Sequence, residues 1–215
     1  MPRYDAVLFD VDGTLLHSRP GILDTFSYAF RTMGRDPDTI DLNRYLGPPL
    51  RQSFAEHFHS EQEVEQAVQA YRDRYAQRGM HLCTPFPGVM EMLRTLRSAG
   101  ILLATATSKP TAVVTPILQE QGMDGFFDYI GGASMDSSID TKTAVIRSVL
   151  DNPAFQGRKI LMVGDRKDDM LGASECGLPA AGVLYGYGSK EELAEWSPVF
   201  LAADCPELTR FILDT

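Results

Sequence analysis

Asp10 and Asp12, separated by Val11 and followed by Gly13-Thr14, stand directly behind the short apolar run Ala6-Val7-Leu8-Phe9. In an extended chain residues i and i+2 point the same way, so the two carboxylates face one small space, and Gly13 lets the chain bend sharply behind them. Two like charges so close resist joint ionisation and need either a bound cation or one carboxyl held protonated. Both remedies suit phosphoryl transfer. The same residues would also make an ordinary acidic turn at a strand end, since Asp and Gly are common turn formers, so the rest of the chain decides between the two.

Three more polar groups close elements further along. They are Thr105-Ala106-Thr107-Ser108-Lys109, then Lys142 at the start of a helix beginning near Asp140, then Gly164-Asp165-Arg166-Lys167-Asp168-Asp169 behind a second strongly apolar run. In an open parallel sheet the carboxyl ends of the strands share one crevice, so acid, hydroxyl, amine and acid converge there.

The elements that must position these groups alternate strand and helix from Pro85 onward, the pattern of a parallel sheet covered on both faces. Val89, Met92, Leu93 and Leu96 form one helical stripe ending at Gly100, and Ile101 to Ala104 reads as a buried strand. Ser108 and Pro110 suit a helix start, with Val114, Ile117, Leu118 and Gln121 continuing to Gly122 and Pro116 expected to kink it. Phe127 to Ile130, Lys159 to Val163 and Ala180 to Leu184 read as strands, and Ala144 to Leu150 and Asp168 to Cys176 as helices.

Residues 16 to 80 contain no convincing strand. Ile22, Leu23, Phe26, Ala29, Phe30 and Met33 follow helical spacing, as do Val64, Ala67, Val68, Tyr71 and Tyr75, with Leu50, Phe54 and Phe58 as a shorter third face. The expected fold is therefore α/β, a Rossmann-like doubly wound parallel sheet core over residues 1–15 and 82–215. An all-helical cap domain over 16–81 is inserted after the first strand, and the paired crossings suit a hinge.

The 215 residues suffice for a sizeable core. A formal net charge of −9 argues against a nucleic-acid partner and against an anionic membrane surface, and an anionic substrate would need a local cation. Three cysteines without a CxxC make a disulfide framework or structural zinc unexpected. With no apolar run of about 18 residues and no basic-then-apolar leader, the expectation is a soluble cytoplasmic protein, monomer or homodimer.

The order and spacing of the four polar groups resemble the haloacid dehalogenase-like superfamily. Asp10-x-Asp12-Gly13-Thr14 is similar to its first motif, the Thr107-Ser108-Lys109 turn to its second, Lys142 to its third and Gly164-Asp165-x-x-x-Asp169 to its fourth. The Thr-Ser-Lys-Pro turn, Gly47-Pro48-Pro49-Leu50-Arg51 and Gly186-Tyr187-Gly188-Ser189 resemble the phosphoglycolate phosphatase and 5'-nucleotidase-like branch.

The resemblance implies a Mg2+-dependent phosphatase of a small phosphorylated metabolite. Asp10 is then the nucleophile that forms an aspartyl-phosphate, and Asp12 the general acid and later base, protonated at the outset because its neighbours are acidic. Asp10, the Asp12 backbone carbonyl and Asp165 are the expected Mg2+ ligands, with Asp169 orienting the metal site or Lys142 from behind and Asp168 second to it in that role. Thr107, Ser108 and Lys142 are the expected phosphate-binding set. Where many relatives have Leu-x-Asp-Ser after the first motif, this chain has Leu15-Leu16-His17-Ser18, so His17, with Arg51 after its Gly-Pro-Pro break, is a candidate for leaving-group recognition. His57 and His59 read as a polar edge of the cap, and Cys176 as packing. A dehalogenase is disfavoured because that chemistry does not need Asp12. A phosphomutase acting on a sugar phosphate shares all four motifs. A non-catalytic phosphate-binding module would be expected to have lost at least one of the acids or the lysine.

Overall fold

The computed structural model describes residues 2–136 and 138–214. Contacts divide the chain into two compact units, Met1–His17 with Pro85–Thr215, and Ser18–Thr84. The strands are β1 (Ala6–Phe9), β2 (Leu16–His17), β3 (Thr84–Pro85), β4 (Leu102–Pro110), β5 (Tyr129–Ala133), β6 (Ile160–Gly164), β7 (Ala180–Val183) and β8 (Phe200–Ala202). The helices are α1 (Arg19–Thr32), α2 (Leu50–Ala55), α3 (Glu61–Gln77), α4 (Val89–Ser98), α5 (Thr111–Glu120), α6 (Lys142–Leu150), α7 (Lys167–Glu175), α8 (Lys190–Ala194) and α9 (Cys205–Leu213).

Six strands of the first unit form one sheet in the order β5-β4-β1-β6-β7-β8, every neighbour parallel. All four residues of β1 are fully buried, as a central strand with helices on both faces requires. Ala6 and Leu8 pack into a cluster with Val145, Ile146 and Val149 of α6 and with Met170 and Ala173 of α7. By strand alternation Val7 and Phe9 point to the opposite face. The register aligns Phe9 with Thr105 of β4 and Val163 of β6. Asp10, Ala106-Thr107 and Gly164-Asp165 therefore come next at the same level of three adjacent strands, although β4 itself runs on to Pro110. Successive strands are added to opposite sides of β1, so this level is also the topological switch point.

The second unit is helical and has its own core. Phe26 and Phe30 of α1 meet Phe54 of α2 and Tyr71 of α3 with ring centroids 4.7–6.3 Å apart. Pro20 lies in the first turn of α1, and α3 begins with a capping box between Ser60 and Glu63.

Several boundaries differ from the sequence expectation. β4 continues to Pro110, irregular between Thr107 and Pro110, so α5 starts at Thr111 rather than near Ser108. β5 is Tyr129–Ala133 rather than Phe127–Ile130, because Phe127 closes a 3-10 turn. β2 falls in the stretch read as free of strands. Pro116 does lie inside α5; the carbonyl that loses a partner belongs to Ala112, an exposed residue that water can serve.

Candidate active site

Asp10 is held at the end of β1 by its own N–H, which donates to the Val163 carbonyl at 2.9 Å. Its carboxylate is buried, and Oδ1 lies 2.8 Å from Lys142 Nζ. Lys142, also buried, is the first residue of α6, whose N-cap Thr141 accepts from the Ala144 N–H. A lysine there opposes the helix dipole, so anions must hold it. It meets Asp10, donates to the Ala106 carbonyl at 2.9 Å and lies 2.7 Å from Asp169 Oδ1. That contact is an ion pair between two buried groups, so Asp169 Oδ1 is served by the Lys142 ammonium. Asp169 Oδ2 accepts from the N–H groups of Asp165 and Arg166 at 3.1 and 3.0 Å, which ties α7 to the end of β6. Asp168 is exposed in the first turn of α7 and does not join this group.

Asp165 is fully buried. Thr14 Oγ1 donates to its Oδ1 at 3.3 Å and the Tyr187 N–H to its Oδ2 at 2.7 Å. Gly13 has a φ of 86°, and a Cβ there would lie 2.1 Å from Asp165 Oδ2, so both conformation and space demand glycine. Oxygens of Asp10, Asp165 and Asp169 lie within 4.8 Å of one another.

Asp12, expected to begin protonated because its neighbours are acidic, has a basic neighbour as well. Its carboxylate is paired with the Lys109 ammonium at 3.0 Å. Lys109, which has no role assigned from sequence beyond its place in the Thr-Ser-Lys turn, is the cation the structure sets beside Asp12. Thr107 is buried, with its hydroxyl accepting from the Lys109 N–H at 3.2 Å, and Ser108 is exposed. His17 stands with its ring centroid 5.4 Å from Phe86 and 6.2 Å from Tyr187. Arg51, in the helical unit, is exposed and donates to Glu65, with Nη2 3.0 Å from Oε2.

The electrostatics of this cluster favour a cation. Burial pushes the Asp10 carboxyl up to about 6, against the pull of Lys142 and with repulsion from Asp169. Burial likewise holds Asp165 well above the usual carboxylate range, with Asp169 and Asp10 repelling it further. Burial alone would lower Lys142, yet Asp10 and Asp169 together keep it above its ordinary value. Four carboxylates against two ammoniums, Lys109 and Lys142, leave two negative charges uncompensated when all are ionised. With hard carboxylate oxygens of three buried residues within 4.8 Å of one another and that excess of negative charge, the residues fit a divalent cation.

The architecture is thus a parallel α/β sheet with buried acids at its switch point and a helical unit inserted after the first strand. The family model described as haloacid dehalogenase-like hydrolase matches residues 7–183, and the chain belongs to that family. It is 36% identical to a 5'-nucleotidase of Pseudomonas aeruginosa over 98% of this chain and 96% of that one. It is 33% identical to a phosphoglycolate phosphatase of Vibrio vulnificus over 96% and 95%. The crystal structure of a predicted phosphatase from Clostridium acetobutylicum superposes with a TM-score of 0.91, at 35% identity and covering 99% of both chains. Family and relatives together make this chain a phosphoric monoester hydrolase.

Proposed function

We propose that the chain is a Mg2+-dependent phosphatase of small phosphate monoesters, of the nucleoside 5'-monophosphate or phosphoglycolate kind, acting through an aspartyl-phosphate on Asp10. The observation that carries this reading is the buried Asp10 carboxylate, 2.8 Å from the Lys142 ammonium and grouped with Asp165 and Asp169. A nucleophile for a phosphate ester must be anionic yet surrounded by enough positive charge to approach anionic oxygens.

In the first step a carboxylate oxygen of Asp10 attacks phosphorus, the bond from phosphorus to the alcohol oxygen breaks, and Asp12 gives that oxygen its proton. The phosphate dianion competes with Asp12 for the Lys109 ammonium, which frees the Asp12 carboxyl to carry that proton. In the second step Asp12 takes a proton from water as the water oxygen attacks phosphorus; inorganic phosphate leaves and Asp10 is restored. Thr107, Ser108 and Lys142 bind the non-reacting phosphoryl oxygens. Asp10, Asp165 and the Asp12 backbone carbonyl would hold Mg2+, with Asp169 fixing Lys142 and the backbone of Asp165 behind them. When bound, the ion supplies charge neutralisation at the phosphoryl oxygens.

Phosphate release is measured over phosphoglycolate, nucleoside 5'-monophosphates and sugar phosphates, with Mg2+ or after EDTA treatment, for wild type and Asp10→Asn. The expected result is turnover that requires Mg2+ and falls by about 10^4-fold or more in Asp10→Asn with the fold intact. Turnover in metal-free buffer, or wild-type rates in Asp10→Asn, would overturn the reading. Isomerisation of a sugar phosphate with little free phosphate would make the enzyme a mutase.

A further inference from the structure

The segment Gly186-Tyr187-Gly188-Ser189 enters none of the chemistry above, yet it is packed against the acid at the centre of the cluster. Neither glycine has a positive φ, so conformational freedom is not their reason. Space is. A Cβ on Gly186 would lie 2.3 Å from the Asp165 Cβ and 2.5 Å from the Gly13 carbonyl oxygen, and one on Gly188 would lie 2.0 Å from the Asp165 carbonyl oxygen. Between them the Tyr187 N–H donates to Asp165 Oδ2 at 2.7 Å.

The segment is fastened at both ends. Ser189 caps α8 by accepting from the Glu192 N–H, and the Glu192 carboxylate accepts from Arg166 Nε and the Lys167 N–H, both at 2.9 Å. At the other end the Tyr187 ring stands 6.2 Å from His17 and 6.3 Å from Phe86, and Phe86 lies 5.2 Å from Tyr185. Asp165 is thus approached from the loop side by two glycines and an amide, while Glu192 holds the next two residues.

We infer that Tyr185 to Glu192 is a clamp that sets the orientation of Asp165 for a divalent cation, with Tyr187 and Glu192 as its positioning residues and His17 and Phe86 as the seat of the Tyr187 ring. This rests on the reading of Asp165 as a metal ligand. A carboxylate whose one oxygen is fixed by an amide presents the other in a single direction, and outer partners of this kind commonly tune metal affinity by about 10–100-fold.

The test is Mg2+ binding by titration calorimetry to wild type, Tyr187→Ala, Tyr187→Phe and Glu192→Gln, with thermal unfolding of each in EDTA and hydrolysis at low and saturating Mg2+. Tyr187→Ala and Glu192→Gln are expected to weaken Mg2+ about 10-fold and to recover most of their turnover at saturating Mg2+, a split that general loss of structure does not produce. Tyr187→Phe keeps the ring and is expected to stay within about twofold of wild type. Folded Tyr187→Ala and Glu192→Gln chains that bind Mg2+ like wild type would overturn the clamp. A wild-type chain that binds no Mg2+ would overturn the metal reading and the clamp with it. If wild type binds Mg2+ and the variants bind it less well, but no ester is cleaved, the clamp stands and the phosphatase reading fails.

Discussion

Asp10 and Asp12 are chemically identical side chains two residues apart that the fold gives different partners, Lys142 for the first and Lys109 for the second. In the proposed reaction Asp12 serves twice, as acid for the leaving alcohol and as base for water. The two uses separate when the leaving group needs no proton. With a nitrophenyl phosphate, Asp12→Asn is expected to release a burst of about one equivalent of nitrophenolate per active site and then stall, because the aspartyl-phosphate forms but is not hydrolysed. With an alkyl phosphate the same variant gives no burst, and its rate falls by about 10^2–10^4-fold. Stopped-flow absorbance reads the first and phosphate release the second. Steady wild-type turnover of both esters would remove Asp12 from the mechanism. The Lys109 partnership could not have been read from sequence, since 97 positions separate it from Asp12 and only the register of β1 with β4 brings them together.

The elements that carry site residues were legible where apolar runs end in polar residues, as β1 and β6 do, because burial on both faces writes a continuous apolar segment. β5 was displaced because its last residues are Gly131-Gly132-Ala133, which carry no strand signal. They are small for packing reasons. A Cβ on Gly131 would lie 2.5 Å from Val149 Cγ2 of α6, the helix that delivers Lys142. β8 and α8 went unread because three and five residues are too few to show a period, and α8 matters only through Ser189 and Glu192. The start of α6 was legible through Lys142 but not through Thr141, whose hydroxyl accepts from the Ala144 N–H at 3.1 Å. Thr141→Ala is therefore expected to lower stability by about 1 kcal/mol, measured by urea unfolding. Thr141→Ser, which can keep the bond, is expected to fall well short of that loss.

At the scale of the whole molecule, every residue proposed to hold the cation belongs to the sheet unit, and the helical unit has a separate aromatic core. Stability and metal binding should then respond to different residues. His57 offers the cleanest case. Its Nε2 lies 2.5 Å from the Tyr45 hydroxyl, its ring packs edge-on to Phe30, and Glu56, Arg44 and Arg35 are the charges around it. Burial lowers its pKa below the usual 6.5, Glu56 opposing this and the two arginines adding to it. As pH falls through about 6.5 the unfolded chain takes up the proton before the folded one does. The contribution of His57 is therefore complete above that pH and is lost as pH falls through the lower, folded value. Protonation of Asp10 and Asp165 acts in the opposite direction as pH falls, so the quantity to measure is the difference in thermal midpoint between wild type and His57→Gln, which cannot titrate but can still meet Tyr45. Wild type should lose stability relative to the variant between pH 7.5 and 5.5. At pH 7.5 the same variant should bind Mg2+ with wild-type affinity in titration calorimetry. A His57→Gln chain that remains folded but loses Mg2+ affinity would show that the two units are energetically coupled at the site and that the helical unit does more than carry its own core.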